Sequence, residues 1–388
     1  MKILFVLNNF YSTGNGLAAS ARRTVEYLRR AGEDVRILSG PNHETPSLRP
    51  EYELKDAKVP IFDSLIQSHG YQFSKPDKDV MRRAVEWADV IHLEEAFVIQ
   101  WETVKIAWEM GVPCTATYHL HPENMFCSVH LGQWKFLNDT MLRIWRDYVF
   151  DYCTDIQCPT ENVQKRLERF GFKSRLHLIS NGLIPAESRR AKVPEDATRK
   201  TPYLVVCIGR FAVEKDQPTL IKSMKYCRHA KEIQLYFAGQ GPEGKRLRKM
   251  AHKLYTDGVV AYDPVFRFHD SEGLKELASQ ADIYVHCATV EVEGLSALEA
   301  LQQAVVPIMA ESELTATSQF ALDSRSCFPA GDPQVLAERI DYWLDHPEER
   351  RRMQWEYAAS TKDYDIHKSI ESLRAMYRMA VTGEKIDA

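Results

Sequence analysis

The feature that most constrains this chain is a series of short, almost continuously apolar segments, each followed by a longer amphipathic stretch. The first series is Ile3–Leu7, Val35–Ser39, Val90–Leu93, Cys114–Tyr118, Ile156–Cys158 and Leu176–Ile179. A strand that is apolar along its whole length is buried on both faces, as in a parallel sheet covered by helices on either side. The stretches between carry helical stripes. Ala18, Ala21, Val25 and Leu28 share one face of Ala18–Ala31, and Gly32 can supply the left-handed residue that ends that helix. Thr160 is placed to cap Glu161–Phe170, which stops at Gly171. The pattern breaks at Ile184–Pro202, which has no apolar period and carries Pro185, Pro194, Pro202, Arg189, Arg190, Lys192, Arg199 and Lys200. It then restarts with Tyr203–Ile208, Ile233–Ala238, Ile283–Cys287 and Val305–Met309. Leu247, Met250, Ala251 and Leu254 form a helical stripe there, and Asp332-Pro333 reads as a cap followed by a proline at the first helical position.

Two successive strand–helix series imply an α/β chain with two doubly wound, Rossmann-like parallel-sheet domains facing across a cleft. The expected organisation is a domain over 1–183, a linker over 184–202, a second domain over 203–360, and a helical segment over 361–388 that returns to the first domain. A length of 388 residues suits two such domains. The net charge of −4, with no acidic or basic tail, gives no reason to expect a nucleic-acid partner. No apolar stretch approaches the length of a transmembrane helix. The opening MKILFVLNNF breaks at Asn8-Asn9 and lacks a small-residue cleavage site, so it reads as a first strand, not a signal peptide. The eight cysteines are scattered without a CxxC pair, and Cys114, Cys158, Cys207 and Cys287 sit in apolar runs. That is the pattern of reduced core thiols in a cytoplasmic protein.

Chemistry-bearing residues gather where strands end. Gly209-Arg210-Phe211-Ala212-Val213-Glu214-Lys215 follows the first strand of the second series. A glycine there allows close backbone approach to a ligand, and Arg210 and Lys215 are suited to phosphate oxygens. The alternative is a solvated basic loop. Glu291-Val-Glu-Gly-Leu-Ser-Ala-Leu-Glu299 follows another strand, with a helix starting near Gly294 or Leu295. The amides around Gly294, Leu295 and Ser296 could meet a phosphate. Glu291 and Glu299 would flank that helix end as acceptors for sugar and ribose hydroxyls. The plain alternative is an acidic helix start. Ala238-Gly239-Gln240-Gly241-Pro242-Glu243 is a third strand exit, either a ligand loop or only a tight turn. Tyr118-His119-Leu120-His121-Pro122-Glu123-Asn124 ends a strand of the first series, and a histidine there can orient a hydroxyl or share its proton. A metal pair at His119 and His121 lacks a third ligand at close spacing. Thr13-Gly14-Asn15-Gly16 joins the first strand to the first helix; it is not GxGxxG, and no acidic residue ends the next strand, which disfavours a nicotinamide dinucleotide. The triplets Asp77-Lys78-Asp79 and Asp363-Tyr364-Asp365 do not follow buried strands and read as surface charge.

Taken together and in this order, these residues resemble the GT-B-fold retaining glycosyltransferases of family 4. The carriers are GRFAVEK (Gly209–Lys215), FAGQGPE (Phe237–Glu243), the pair Glu291 and Glu299 within EVEGLSALEA, and the glycine-containing loop after the first strand. The resemblance implies a metal-independent hexosyltransferase with a nucleotide-diphosphate sugar as donor substrate, a UDP-sugar above all, and no separate cofactor. The domain over 203–360 would bind the donor and the domain over 1–183 the acceptor. Arg210 and Lys215 would hold the diphosphate, Glu291 the transferred sugar and Glu299 the ribose. His119 would stand near the transferred sugar, and Gly14, Gly16, Gly209, Gly239, Gly241, Gly294, Leu295 and Ser296 would line the donor path. Two departures stand out: TGNG where the family often has adjacent glycines, and Ala304 where it usually has glycine before Pro307.

The acceptor is less constrained. Ala316–Ser326 (ATSQFALDSRS) and HLHPEN are similar to a bacterial family-4 subgroup that places glucose or galactose on diacylglycerol or ceramide. Gln133–Phe150 mixes aromatic, aliphatic and basic residues. It can be read as an apolar core face with snorkelling cations, the favoured reading, or as a helix lying in a membrane interface at the inner face of the cell membrane. Alternatives are a transferase of surface-polysaccharide assembly, a sugar-nucleotide epimerase on the same fold, and a non-catalytic sugar-nucleotide binder.

Overall fold

The computed structural model describes residues 1–12, 16–58, 71–127, 131–191 and 202–383. Gly14 lies outside the described residues. The chain forms two compact units. One comprises Met1–Pro122, Trp134–Gly182 and Ile366–Ala388, and the other comprises Glu123–Gln133 and Leu183–Asp365.

The first unit is built on strands β1 (Lys2–Val6), β2 (Asp34–Ser39), β3 (Tyr52–Glu53), β6 (Val90–Leu93), β7 (Cys114–Thr117), β8 (Asp155–Cys158) and β9 (Arg175–Leu178). They pair in parallel in the order β3-β2-β1-β6-β7-β8-β9. A separate antiparallel pair joins β4 (Lys55–Asp56) and β5 (Ser74–Lys75). Every residue of β6, β7 and β8 is buried, as their continuous apolar reading requires. The helix Gly16–Arg30 buries Ala18, Ala21, Val25 and Leu28. The last helix, Ile366–Thr382, buries Ile366, Ile370, Leu373, Met376 and Tyr377, which join Ile3, Phe5, Val25 and Leu28 in one core. Spacings of three and four residues put all of these on one face of that helix.

The second unit repeats the plan with β10 (Tyr203–Ile208), β11 (Ile233–Ala238), β12 (Val265–Arg267), β13 (Ile283–His286), β14 (Val306–Glu311) and β15 (Cys327–Pro329). Their order is β12-β11-β10-β13-β14-β15, again all parallel. In each sheet the order of connection reverses beside the first strand, between β1 and β6 and between β10 and β13. Helices leave opposite faces at such a point, so a crevice opens at the carboxyl ends of those two strands.

The reading of Gln133–Phe150 as a core face holds for only part of it. The helix Lys135–Tyr148 buries Asn138, Leu142 and Trp145. Trp134, Phe136, Ile144 and Tyr148 are exposed, Phe136 by 84%. The apolar surface is wider than the single stripe its neighbours cover. Of the two acidic triplets, Asp77 caps the helix Lys78–Trp87 by accepting the amides of Asp79 and Val80 at 3.2 Å. Asp365 forms a bridge with Leu183.

Candidate functional site

In the second unit the loop after β10 and the loop after β13 meet. Lys215, at the end of a short 3-10 turn over Val213–Lys215, forms an ion pair with the carboxylate of Glu291. The same carboxylate is 3.2 Å from Nε2 of His286, whose Nδ1 lies 2.8 Å from the hydroxyl of Tyr284. Burial pushes the Glu291 carboxyl up, but the Lys215 charge and the His286 and Lys215 hydrogen bonds outweigh it and hold the group well below the usual carboxylate range. Glu291 is therefore ionised. The backbone fixes its position, since its amide donates to Leu314 and its carbonyl accepts from Ala316. Arg210 donates from Nη2 to Glu214 at 2.7 Å, and its carbonyl accepts from Gln217.

The glycines of these loops divide by what surrounds them. A Cβ on Gly239 would collide with the carbonyl oxygen of Gly209, and one on Gly241 with that of Phe211. The two loops are stitched together here, Phe211 donating to Gln240 and Glu243 to Phe211, each at 3.0 Å. Gly239 and Gly241 thus serve loop-to-loop packing. A Cβ on Gly209 or Gly16 would meet nothing within 4 Å. Gly294 adopts φ +87°, and a Cβ there would also strike Thr317. It starts the helix Leu295–Gln302, whose first backbone bond runs from Ala297 back to Gly294, so the amides of Leu295 and Ser296 precede the ladder. Ser296 and Glu299 line one small cavity with Ile208, Ser271, Leu274 and Lys275.

In the first unit, His119 stands two residues beyond β7 with its Nε2 2.5 Å from Oε2 of Glu94. His121 is buried, and its Nδ1 lies 3.1 Å from both the Tyr118 hydroxyl and Arg166. The two histidines of HLHPEN therefore face different partners. Lys215 and Glu291 come together, as do Ser296 and Glu299; Arg210 meets Glu214, a residue the sequence did not single out. Glu94 and His286 were missed as well. Each sits at or just past the carboxyl end of a fully buried strand, and that placement was the available signal.

Sequence matches now cover both units. A family model described as "Glycosyltransferase Family 4" matches residues 14–187, and one described as "Glycosyl transferases group 1" matches residues 188–360. The chain belongs to the group 1, family 4 glycosyltransferases. Among characterised relatives, a GDP-mannose-dependent α-mannosyltransferase of Corynebacterium glutamicum is 22% identical over 79% of this chain and 71% of its own length. Anabaena HepE, solved in complex with UDP and glucose, superposes with a TM-score of 0.69 at 15% identity, over 97% of this glycosyltransferase and 99% of HepE. Sucrose-phosphate synthase of Thermosynechococcus elongatus superposes at 0.72 with 16% identity, over 99% of this chain and 100% of its own. With two parallel Rossmann-like sheets, these neighbours make the fold GT-B.

Proposed function

We propose that this glycosyltransferase moves a hexose, glucose or galactose, from a UDP-sugar to a hydroxyl of a membrane lipid such as diacylglycerol or ceramide, with retention of configuration and without a metal ion. The donor half is supported by the ion pair of Lys215 with Glu291, which joins the loop after β10, where Arg210 also stands, to the loop that leads into the helix Leu295–Gln302 beside the β10/β13 switch point. Negative charge grows on the leaving phosphate as the glycosidic bond breaks. Arg210, Lys215 and the start of the helix Leu295–Gln302 would stabilise it as it develops, which is how electrostatic preorganisation lowers a barrier. They supply the positive charge that a metal ion supplies in other transferases. Lys215, paired with Glu291, would turn to the diphosphate. The ionised Glu291 would then accept hydroxyls of the transferred sugar, and Glu299 those of the ribose. The acceptor hydroxyl would attack from the leaving-group face and pass its proton to the departing phosphate, while His119 orients the acceptor half.

Support for a lipid acceptor comes from the exposed aromatic and aliphatic side chains of Trp134, Phe136, Ile144 and Tyr148, interleaved with the exposed cations Lys135 and Arg143. Such a surface suits the headgroup region of an anionic bilayer. No helix among the described residues is long and apolar enough to cross a membrane, so the contact would be peripheral, at the inner face of the cell membrane. HepE holds UDP and glucose, and the Corynebacterium relative uses GDP-mannose, so the test must separate the bases. It measures nucleoside diphosphate release from UDP-glucose, UDP-galactose and GDP-mannose, with soluble sugars or with anionic vesicles carrying diacylglycerol or ceramide. UDP release that requires the lipid is expected. Release only with soluble sugars overturns the lipid acceptor, and release only from GDP-mannose overturns the UDP-sugar.

A further inference from the structure

The crevice at the β1/β6 switch point of the first unit holds a buried carboxylate that the donor chemistry does not use. Glu94 directly follows β6 and is 2% exposed. One of its oxygens, Oε2, lies 2.5 Å from Nε2 of His119, and the other, Oε1, lies 3.5 Å from Nε2 of His92. A buried carboxylate is costly unless paired, so its partners decide its state. Burial pushes the Glu94 carboxyl up, but the facing His119 imidazole outweighs it and brings the group below its ordinary value. Glu94 is ionised.

Three titratable groups face it. His92 is fully buried, and burial lowers its pKa to about 4 against the opposing pull of Glu94, so it is neutral. Its two ring nitrogens are each 2.9 Å from a threonine hydroxyl, Nδ1 from Thr115 and Nε2 from Thr117; the Thr115 hydroxyl also donates to the Ile91 carbonyl at 3.1 Å, and the Thr117 hydroxyl to Oε1 of Gln157 at 2.6 Å. Tyr377, from the last helix, packs edge-on against His92 with ring centres 5.3 Å apart. Burial and the Glu94 charge raise its pKa, so the phenol is neutral too. His119 is left as the group that answers the carboxylate directly.

We infer that Glu94 is the positioning residue for His119: it holds the ring by its Nε2–H and leaves Nδ1 as the nitrogen presented to the reacting sugar or acceptor. The inference rests on the reading that His119 stands at the transfer site. A histidine held through one nitrogen by a carboxylate is fixed in tautomer and orientation, so the other nitrogen meets its ligand in one state.

Nitrogen-15 NMR of the histidine rings in the wild-type protein is the first test. His119 should carry a proton on Nε2; a neutral ring protonated on Nδ1 alone would overturn the inference without any variant. The second test is kinetic. Glu94→Gln should keep the fold and the donor KM within about twofold while lowering kcat about 10- to 100-fold, the range for loss of an orienting partner. Glu94→Gln added to His119→Ala should cost nothing further, because the carboxylate acts only through that ring. Additive losses, or a wild-type kcat in Glu94→Gln, overturn the inference. His119→Ala distinguishes the two levels: if it is inactive while Glu94→Gln is normal, only the positioning role falls. If His119→Ala itself is fully active, the reading beneath it falls as well.

Discussion

At the scale of single residues, backbone conformation decides which substitutions a turn tolerates. Ala304 has φ +58° and is fully buried, at the position where family resemblance leads one to expect glycine. A left-handed conformation costs an L-residue about 1–2 kcal/mol. The buried methyl returns about 0.8 kcal/mol. The two nearly cancel, so Ala304→Gly should change stability by less than about 1 kcal/mol in chemical denaturation, within the range of those estimates. Ala304→Val adds β-branched crowding in the same conformation and should cost more than about 2 kcal/mol. A Gly variant as damaged as the Val variant would show that the backbone is not strained there. The sequence showed that glycine was missing but could not show that the chain keeps the left-handed turn without it. Glu94 and His286 were illegible for a related reason. Each is defined by a partner on another strand or loop, His119 for one and Glu291 for the other, and sequence spacing along one strand carries no record of its neighbour.

At the scale of elements, ion pairs pin the edge of the first sheet. Asp155 opens β8 and is fully buried at its side chain. It accepts from Arg175 Nε and Nη2 at 2.7 and 2.8 Å, from His177 at 2.7 Å and from Thr154 at 2.7 Å, which fastens edge strand β9 to β8. Burial pushes the Asp155 carboxyl up, but the His177, Arg175 and Thr154 hydrogen bonds bring it down to about 2. Because the folded-state value lies below the unfolded one, this carboxylate's stabilisation is fully present above the ordinary aspartate range near pH 4. It fades as pH falls through about 2. Asp155→Asn should therefore cost about 2–3 kcal/mol at neutral pH. Its deficit relative to wild type should shrink between pH 4 and 2 in a series of denaturant melts; a deficit constant with pH would contradict the pairing. The apolar strands were legible to within two residues at their ends, and in most of them burial on both faces writes itself into consecutive positions; the edge strand β9, which has no fully buried residue and exposes Leu178, is the exception. The caps at Thr160 and Asp332 were legible for the same local reason, and both side chains accept the amides they were expected to meet. Strands β3, β4, β5, β12 and β15 were not, since two or three residues show no period. The helix Lys135–Tyr148 was half legible. Its apolar positions were clear, but only tertiary packing determines that Leu142 and Trp145 are covered while Phe136 and Ile144 are not.

At the scale of the whole molecule, one plan is used twice, and each unit places a cluster of ionisable side chains at its own switch point. Beside β10 and β13 these are Lys215, Glu291 and His286; beside β1 and β6 they are Glu94 and His119. The order of the donor motifs along the chain was readable because each strand exit is a local signal, and their sum pointed to the family that the two sequence matches establish. The division of labour proposed for the units depends first on the grip on the donor diphosphate. Nucleoside diphosphate release from the preferred donor, measured for wild type, Lys215→Ala and Arg210→Ala with thermal melting alongside, tests that grip most directly. Each variant should melt as a folded protein and lose at least about 100-fold in turnover, the scale for removing one preorganised charge-stabilising group. Turnover at the wild-type rate in both folded variants would contradict it.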